Sequence, residues 1–315
     1  PGGFYTAPRM PPLYNAPAMP TFRLAFDWTL YRLVLLLALP LIPLRLAWRG
    51  WREPGYRRHW RERAGWPPAD LPTGALWVHA VSLGETRAAA PLIADLRARF
   101  PAAPVVVSCM TATGRATAQA LYSDFARVVF LPYDYRYAVR RFLIRLQPKL
   151  GVLMETELWP NLVAAAADLQ IPLALANARL SERSARRYAR LLPALTRATL
   201  ARLPAIAAQT DADAARLAAL GGRHVAVCGN LKFDIAPPPA LLERGRAWRA
   251  GWGVAPVFLA ASTREGEEAM LFDALDRLPP AVRIVVVPRH PQRFDAVVEL
   301  ARARGLAVAR KSNLT

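Results

Sequence analysis

Between residues 76 and 229, short apolar runs recur with helix-length segments between them, and no other feature restricts the fold of this chain as much. The runs are "ALWVHAV", "PVVVSCM", "RVVFLP", "KLGVLME", "PLALAN", "AIAAQ" and "HVAVCG". Each is continuously apolar rather than alternating, so each strand has to be covered on both faces. That is the condition of a parallel sheet flanked by helices. The spacers carry helix patterns over 85–99, 135–146 and 158–169. An α/β, Rossmann-like domain is therefore expected over 65–235. Prolines at 237–239 then break the pattern, and 236–253 is expected to be a linker. A second βα series opens with "PVFLAAS" and continues with a helix from Glu265, "RIVVVP", a helix from Gln292 and "GLAVAR". Two or three strands do not complete a doubly wound sheet. Segment 254–315 is expected to be part of a second Rossmann-like domain. Two domains also suit a length of 315 residues.

Ahead of the sheet, residues 1–20 are rich in Pro, Gly and Ala and read as a disordered leader. Segment 21–64 reads as a membrane anchor with a basic juxtamembrane stretch. Its uncharged centre, 33–44, is short against the about 20 apolar residues of a crossing helix. Trp28 and Tyr31 flank one side of that centre, Trp48 and Trp51 the other. Arg45, Arg49, Arg52, Arg57, Arg58, Arg61 and Arg63 follow. Aromatics and arginines in this order suit an anionic cytoplasmic leaflet. The competing reading is a core helix with a solvated basic face.

A formal charge of +19 favours an anionic partner. No RGG tract, zinc-finger spacing or RNP-like motif is present, so nucleic acid is not expected. Cys109 and Cys228 lie in separate apolar runs outside any CxxC and read as small core residues. The histidines are scattered, and no metal site is expected. Without GxGxxG or a Walker A loop, dinucleotide and P-loop readings fail. Asp211 and Asp213 read as helix-start acids.

Polar residues recur just after the strands, where an α/β sheet binds its ligands. After the first come Ser82, Gly84 and Glu85; after the fourth, Glu155 and Glu157; after the fifth, Asn177 and Arg179; after the seventh, Lys232. The second half adds Ser262, Thr263, Pro288, Arg289 and His290. Glu85 reads either as a catalytic base or as a first-turn acid, with the helix dipole expected to lower its pKa. Glu157 reads as a cap for the helix from Leu158, and Ser262 with Glu265 as a capping box. Taken together, Glu85 as base, Lys232 against a leaving phosphate, and Arg289 with two helix N-termini form a consistent set. They point to sugar transfer from a nucleotide donor without a metal.

The motifs "HAVSLGE", "LPYD", "METELWPN", "ANARLSERS", "GNLKFD", "STREGEE" and "VPRHPQRF" occur in this order. From about Leu30 to Arg310 the chain resembles the family of lipid A 3-deoxy-D-manno-octulosonic acid (Kdo) transferases. The resemblance implies a GT-B-type fold, two Rossmann-like domains facing a cleft, with an N-terminal membrane-anchor helix. It implies inverting transfer from CMP-Kdo to a lipid A precursor, with no cofactor, at the cytoplasmic face of the inner membrane beside anionic lipids. Glu85 would be the proton acceptor, and Glu155 and Lys232 the transition-state stabilisers. Pro288 and Arg289 would fall in the CMP site, with His290, Ser262 and Thr263 beside them. Ser82, Gly84, Asn177 and Arg179 are the acceptor-site candidates. The family's later CMP-binding segments, with Gly-Glu and Asn-Pro-x-Glu motifs, do not occur in this sequence. Two other readings stand: a membrane-associated GT-B enzyme using a different nucleotide sugar, and a non-catalytic basic protein of the membrane surface.

Overall fold

The computed structural model describes residues 21–235, 237, 239–279 and 281–311, so the expected leader at 1–20 lies outside the described residues. The chain divides into two compact units between Ala236 and Pro237.

The first unit opens with α1 (Thr21–Ala38) and α2 (Leu41–Arg52), bent by 49° where Pro40 interrupts the helical hydrogen bonds. Leu24, Asp27, Trp28, Tyr31, Leu35 and Ala38 form the covered stripe of α1 at helical spacing. Phe22, Phe26, Leu33, Val34, Leu36 and Leu37 stay exposed on the remainder. A short α3 (Trp60–Arg63) follows. Segment 21–64 packs within the same unit as the sheet. Arg63 departs from the expected basic surface. It is buried, donates from Nη1 to Met110 O at 2.9 Å, and stacks on Phe130.

Seven parallel strands follow: β1 (Leu76–His79), β2 (Val105–Cys109), β3 (Ala126–Phe130), β4 (Leu150–Met154), β5 (Leu173–Ala178), β6 (Ile206–Ala208) and β7 (Val225–Val227). Their spatial order is β3-β2-β1-β4-β5-β6-β7. Successive residues point to opposite faces, so Trp77 and Val106 join one buried cluster while Val78 and Val107 join the other. Trp77 has no exposed surface and meets Phe142 edge-on, ring centroids 5.4 Å apart. The connecting helices are α4 (Leu83–Ala88), α5 (Ala90–Arg99), α6 (Ala112–Tyr122), α7 (Arg136–Leu146), α8 (Pro160–Asp168), α9 (Glu182–Leu191), α10 (Pro193–Leu200) and α11 (Asp211–Ala219). The single helix expected over 85–99 is split, because Pro91 has no N–H for the bond that would continue α4. Cys109 is buried as expected, but Cys228 is exposed just beyond the edge strand β7.

The second unit begins where a linker was expected. Residues Pro239–Gly251 form α12: Pro239 suits the first helical position, and the Ala, Leu, Glu and Arg that follow are strong helix formers. Strands β8 (Val257–Thr263) and β9 (Arg283–Pro288) pair in parallel. Helix α13 (Glu267–Asp273) starts two residues later than expected, because Gly266, at φ 88°, takes the N-cap position. The Ser262–Glu265 capping box is therefore not formed, and Arg264 N donates instead to Glu267 at 2.7 Å. A 3₁₀ turn over Pro291–Arg293 precedes α14 (Phe294–Ala303). The expected strand "GLAVAR" has no ladder partner among the described residues; Leu306 and Val308 pack against Phe272 and Val297 instead.

Candidate active site

The sheet order reverses between β1 and β4: the chain runs outward from β1 to β3, then returns to place β4 on the other side of β1. Two connections leave in opposite directions there, opening a crevice at the C-terminal ends of the strands. Glu85 follows β1, and Glu155 follows β4.

Glu85 is the third residue of α4, with Ser82 at the N-cap. Its Oε2 accepts Val81 N at 2.8 Å and its Oε1 accepts Ser82 Oγ at 2.9 Å. This is close to a capping box, so the first-turn role is real. Each carboxylate oxygen still has a free lone pair. The dipole expectation for its pKa is overturned: burial raises the pKa, and outweighs the hydrogen bonds from Val81 and Ser82 that act to lower it. Glu155 and Lys232 are close enough to act on the Glu85 charge, in opposite senses.

Glu155 sits at φ 57°, a left-handed conformation held by the bond from its N–H to Ala176 O at 2.8 Å. A non-glycine residue in that region costs about 1–3 kcal/mol and marks functional sites more often than ordinary turns. The Lys232 ammonium lies 4.0 Å from Glu155 Oε1. It is carried there by a 3₁₀ turn over Leu231–Asp234, beyond β7. The structure therefore brings together the three residues expected to be catalytic.

The acceptor-site candidates divide. Ser82 serves Glu85, and Gly84 is exposed, where a Cβ would meet only Ser82 Oγ, at 3.9 Å. Arg179 is exposed, with its backbone tied to Thr156 Oγ1. Asn177 is buried, with Oδ1 accepting Leu231 N at 3.1 Å and its carbonyl accepting Gln209 Nε2 at 3.0 Å, while its Nδ2 has no partner among the described residues. Glu157 is not the cap of α8 either. Asp134 fills that place from the loop after β3, accepting Asn161 N and Leu162 N, while Glu157 lies close enough to Glu85 and Glu155 to be acted on by both charges. Burial first, then the Glu85 and Glu155 charges, push the Glu157 carboxyl up to about 7. Two further contributors had no signal in the sequence pattern. Gly114, in α6, lets that helix approach the turn bearing Glu85; a Cβ there would stand 3.1 Å from both Ser82 C and Val81 O. Asp134 occurs in the sequence only as the last residue of "LPYD". Asp211 and Asp213 are first-turn acids as read from the sequence, and Thr210 is the N-cap whose hydroxyl bonds Asp213.

In the second unit, Thr263 and Pro288 are opposed in the β8–β9 ladder, and Arg289 N donates to Thr263 O at 3.0 Å. Arg289 and His290 are exposed at this tip, and Ser262 precedes Thr263 at φ 61°. Arg293, by contrast, is engaged in a two-pronged pair with the buried Glu268, at 2.9 and 2.7 Å.

The fold is similar to that of the UDP-GlcNAc 2-epimerase of Neisseria meningitidis. The TM-score is 0.50 at 14% identity, over 73% of this chain and 69% of that one, a likeness of fold alone. Sequence relatives are closer. The 3-deoxy-D-manno-octulosonic acid transferase of Bordetella pertussis is 47% identical over 256 residues, which is 78% of this chain and 59% of that protein. The enzyme of the same name from Haemophilus influenzae is 34% identical over 290 residues, 90% of this chain and 68% of that protein. The chain thus spans about three fifths to two thirds of the length of these curated relatives. A family model described as 3-deoxy-D-manno-octulosonic-acid transferase (kdotransferase) matches residues 58–235, the stretch that carries Glu85, Glu155 and Lys232. With a model spanning more than half of the sequence and a relative of 34% identity over most of both chains, the chain belongs to the kdotransferase family.

Proposed function

We propose that this chain is the acceptor domain and part of the donor domain of an inverting Kdo transferase. It would take CMP-Kdo as donor and a hydroxyl of a lipid A precursor as acceptor. The observation that carries this reading is the meeting of a buried, upward-shifted carboxyl with a carboxylate–ammonium pair at the switch point of the sheet. The acceptor oxygen attacks the anomeric carbon of Kdo from the face opposite the nucleotide, and the bond to the CMP phosphate breaks, its electron pair leaving with CMP. The acceptor proton passes to Glu85. A carboxylate whose pKa lies above the ordinary range is the stronger base for this step. Lys232, steadied by Glu155, supplies positive charge as the phosphate departs, so the transfer needs no metal. Arg289, His290, Ser262, Thr263 and Pro288 would hold CMP in the second unit.

The acceptor is an amphiphile, and the same reading seats the first unit on the cytoplasmic face of an anionic membrane. No single described helix is long and apolar enough to cross a bilayer, although α1 and α2 pass that test together as a bent pair. The exposed apolar faces of both helices support an interfacial seat. So does a cavity of about 740 Å³ between α2 and α7, lined by Leu39, Ile42, Leu46, Trp60 and Trp66.

Glu85→Gln in the full-length protein is the test. Gln satisfies a capping box as Glu does, so the melting temperature and CMP affinity should hold. Turnover should fall about 10²–10⁴-fold, the usual worth of a general base. Near-normal transfer by this variant would leave Glu85 as a helix-start acid and nothing more.

A further inference from the structure

Lys232 reaches the site from the wrong end of the sheet. It follows β7, which lies three strands from β4 in the spatial order. At about 4.8 Å per strand the chain has to travel back about 14 Å to set an ammonium beside Glu155. Two contacts hold it there. The Leu231 side chain packs on the cluster that includes Met154 and Ala176. Its backbone N–H donates to Asn177 Oδ1 at 3.1 Å. The turn itself is closed locally, with Lys232 N donating to Asn230 Oδ1 at 3.0 Å and Phe233 N to Asn230 O. Asn230 therefore shapes the turn, and Asn177 fastens it to the sheet.

Asn177 is built for that task. It is the penultimate residue of β5, next to β4, with 2% of its surface exposed. Its φ of 55° is a left-handed conformation that Asn tolerates better than other side-chain-bearing residues. Two bonds from Gln209, the residue after β6, hold this backbone: Gln209 Nε2 to Asn177 O, and Gln209 N to Ala178 O at 2.9 Å.

We propose that Asn177 is a positioning residue: it pins the Leu231 amide over β5 so that Lys232 stands at Glu155. The proposal rests on the assignment of Lys232 to the transferase site, and its test separates the two. Asn177→Gly keeps the left-handed backbone at no steric cost and removes the acceptor. Asn177→Asp keeps both. The readout is zero-length coupling by a water-soluble carbodiimide, which joins an amine to a carboxylate only where they already touch. The sequence has three lysines, Lys149, Lys232 and Lys311, so the cross-linked peptide is readily assigned.

In the wild type and N177D, coupling of Lys232 to Glu155 is expected; in N177G it should be lost. In the full-length enzyme N177G should lower kcat by about 10²-fold, as for a misplaced catalytic group. KM for the donor should hold, and N177D should restore the rate. Undiminished coupling in N177G overturns the proposal. Lost coupling with normal turnover supports the positioning and overturns instead the role of Lys232 in transfer. Should N177G melt early, hydrogen exchange at the Leu231 amide of the wild type decides. Protection matching β5 supports the tether, and exchange at the rate of an unstructured amide overturns it.

Discussion

His79 ends β1 with no exposed surface. Its Nδ1 lies 2.8 Å from Ser108 Oγ, the same atom that accepts the Trp77 indole N–H, and its Nε2 has no partner among the described residues. Burial holds this imidazole neutral, pushing its pKa down to about 3. The unfolded chain takes up the proton first, near 6.5, so stability is lost as pH falls from about 6.5 toward 3, by about 1.4 kcal/mol per pH unit. His79→Asn should remove that slope, and urea titrations of both proteins from pH 7 to pH 4 measure it. Glu157 shifts the other way, and part of its shift comes from the Glu85 charge. Carbon-13 titration of the Glu85→Gln variant should therefore find Glu157 losing its proton below about 7. Neither behaviour is visible in the motif "HAVSLGE" or in "METELWPN", since both arise from what other segments place around these side chains.

At the scale of elements, the sheet was largely legible. Seven apolar runs became seven parallel strands, because a run without alternation has only one way to be covered. Boundaries erred where single residues intervene: Pro91 splits a helix, and Gly266 delays one. The proximity of Glu85, Glu155 and Lys232 was also legible, since each directly follows a strand or its turn. Asn177 was legible as a polar residue at the end of a strand run, but its bond to Leu231 was not, because that partner lies in a loop 54 residues away. Least legible was α1, whose polar residues look out of place in an apolar segment. Asp27 accepts Ala194 N at 2.9 Å and Leu195 N at 3.1 Å, so it caps α10 from another helix. Tyr31 donates to Asp134, the same carboxylate that caps α8. Asp27→Ala should therefore cost about 0.5–2 kcal/mol, the usual loss of a helix cap, and denaturant unfolding of the variant measures it.

The whole molecule carries a formal charge of +19, and the exposed members of the early arginine group stand beside the apolar faces of α1 and α2. Two forces of different range then act at a membrane. Raising salt from 0.1 to 1 M shortens the screening length from about 10 Å to about 3 Å, which removes the charge contribution and leaves the apolar one. Sedimentation with phosphatidylglycerol vesicles should fall, without vanishing, at 1 M salt. Combined Leu33→Ser, Leu36→Ser and Leu37→Ser, all exposed, should release the protein at that salt while leaving its melting temperature unchanged. Complete release of the wild type by salt alone would show that these leucines do not enter a bilayer.

The reach of Asp27 has a consequence for how the protein is made. Its partners lie 167 and 168 residues further along the chain. At about 5–20 residues per second a ribosome needs roughly ten to thirty seconds to synthesise that interval. Throughout it α1 lacks the helix end that Asp27 will cap, although Asp134 and Tyr135, the partners of Tyr31 and Leu35, join the chain well before its close. The Asp27 contact cannot form in full until Leu195 is made, about 60 residues after those other contacts of α1 have become possible.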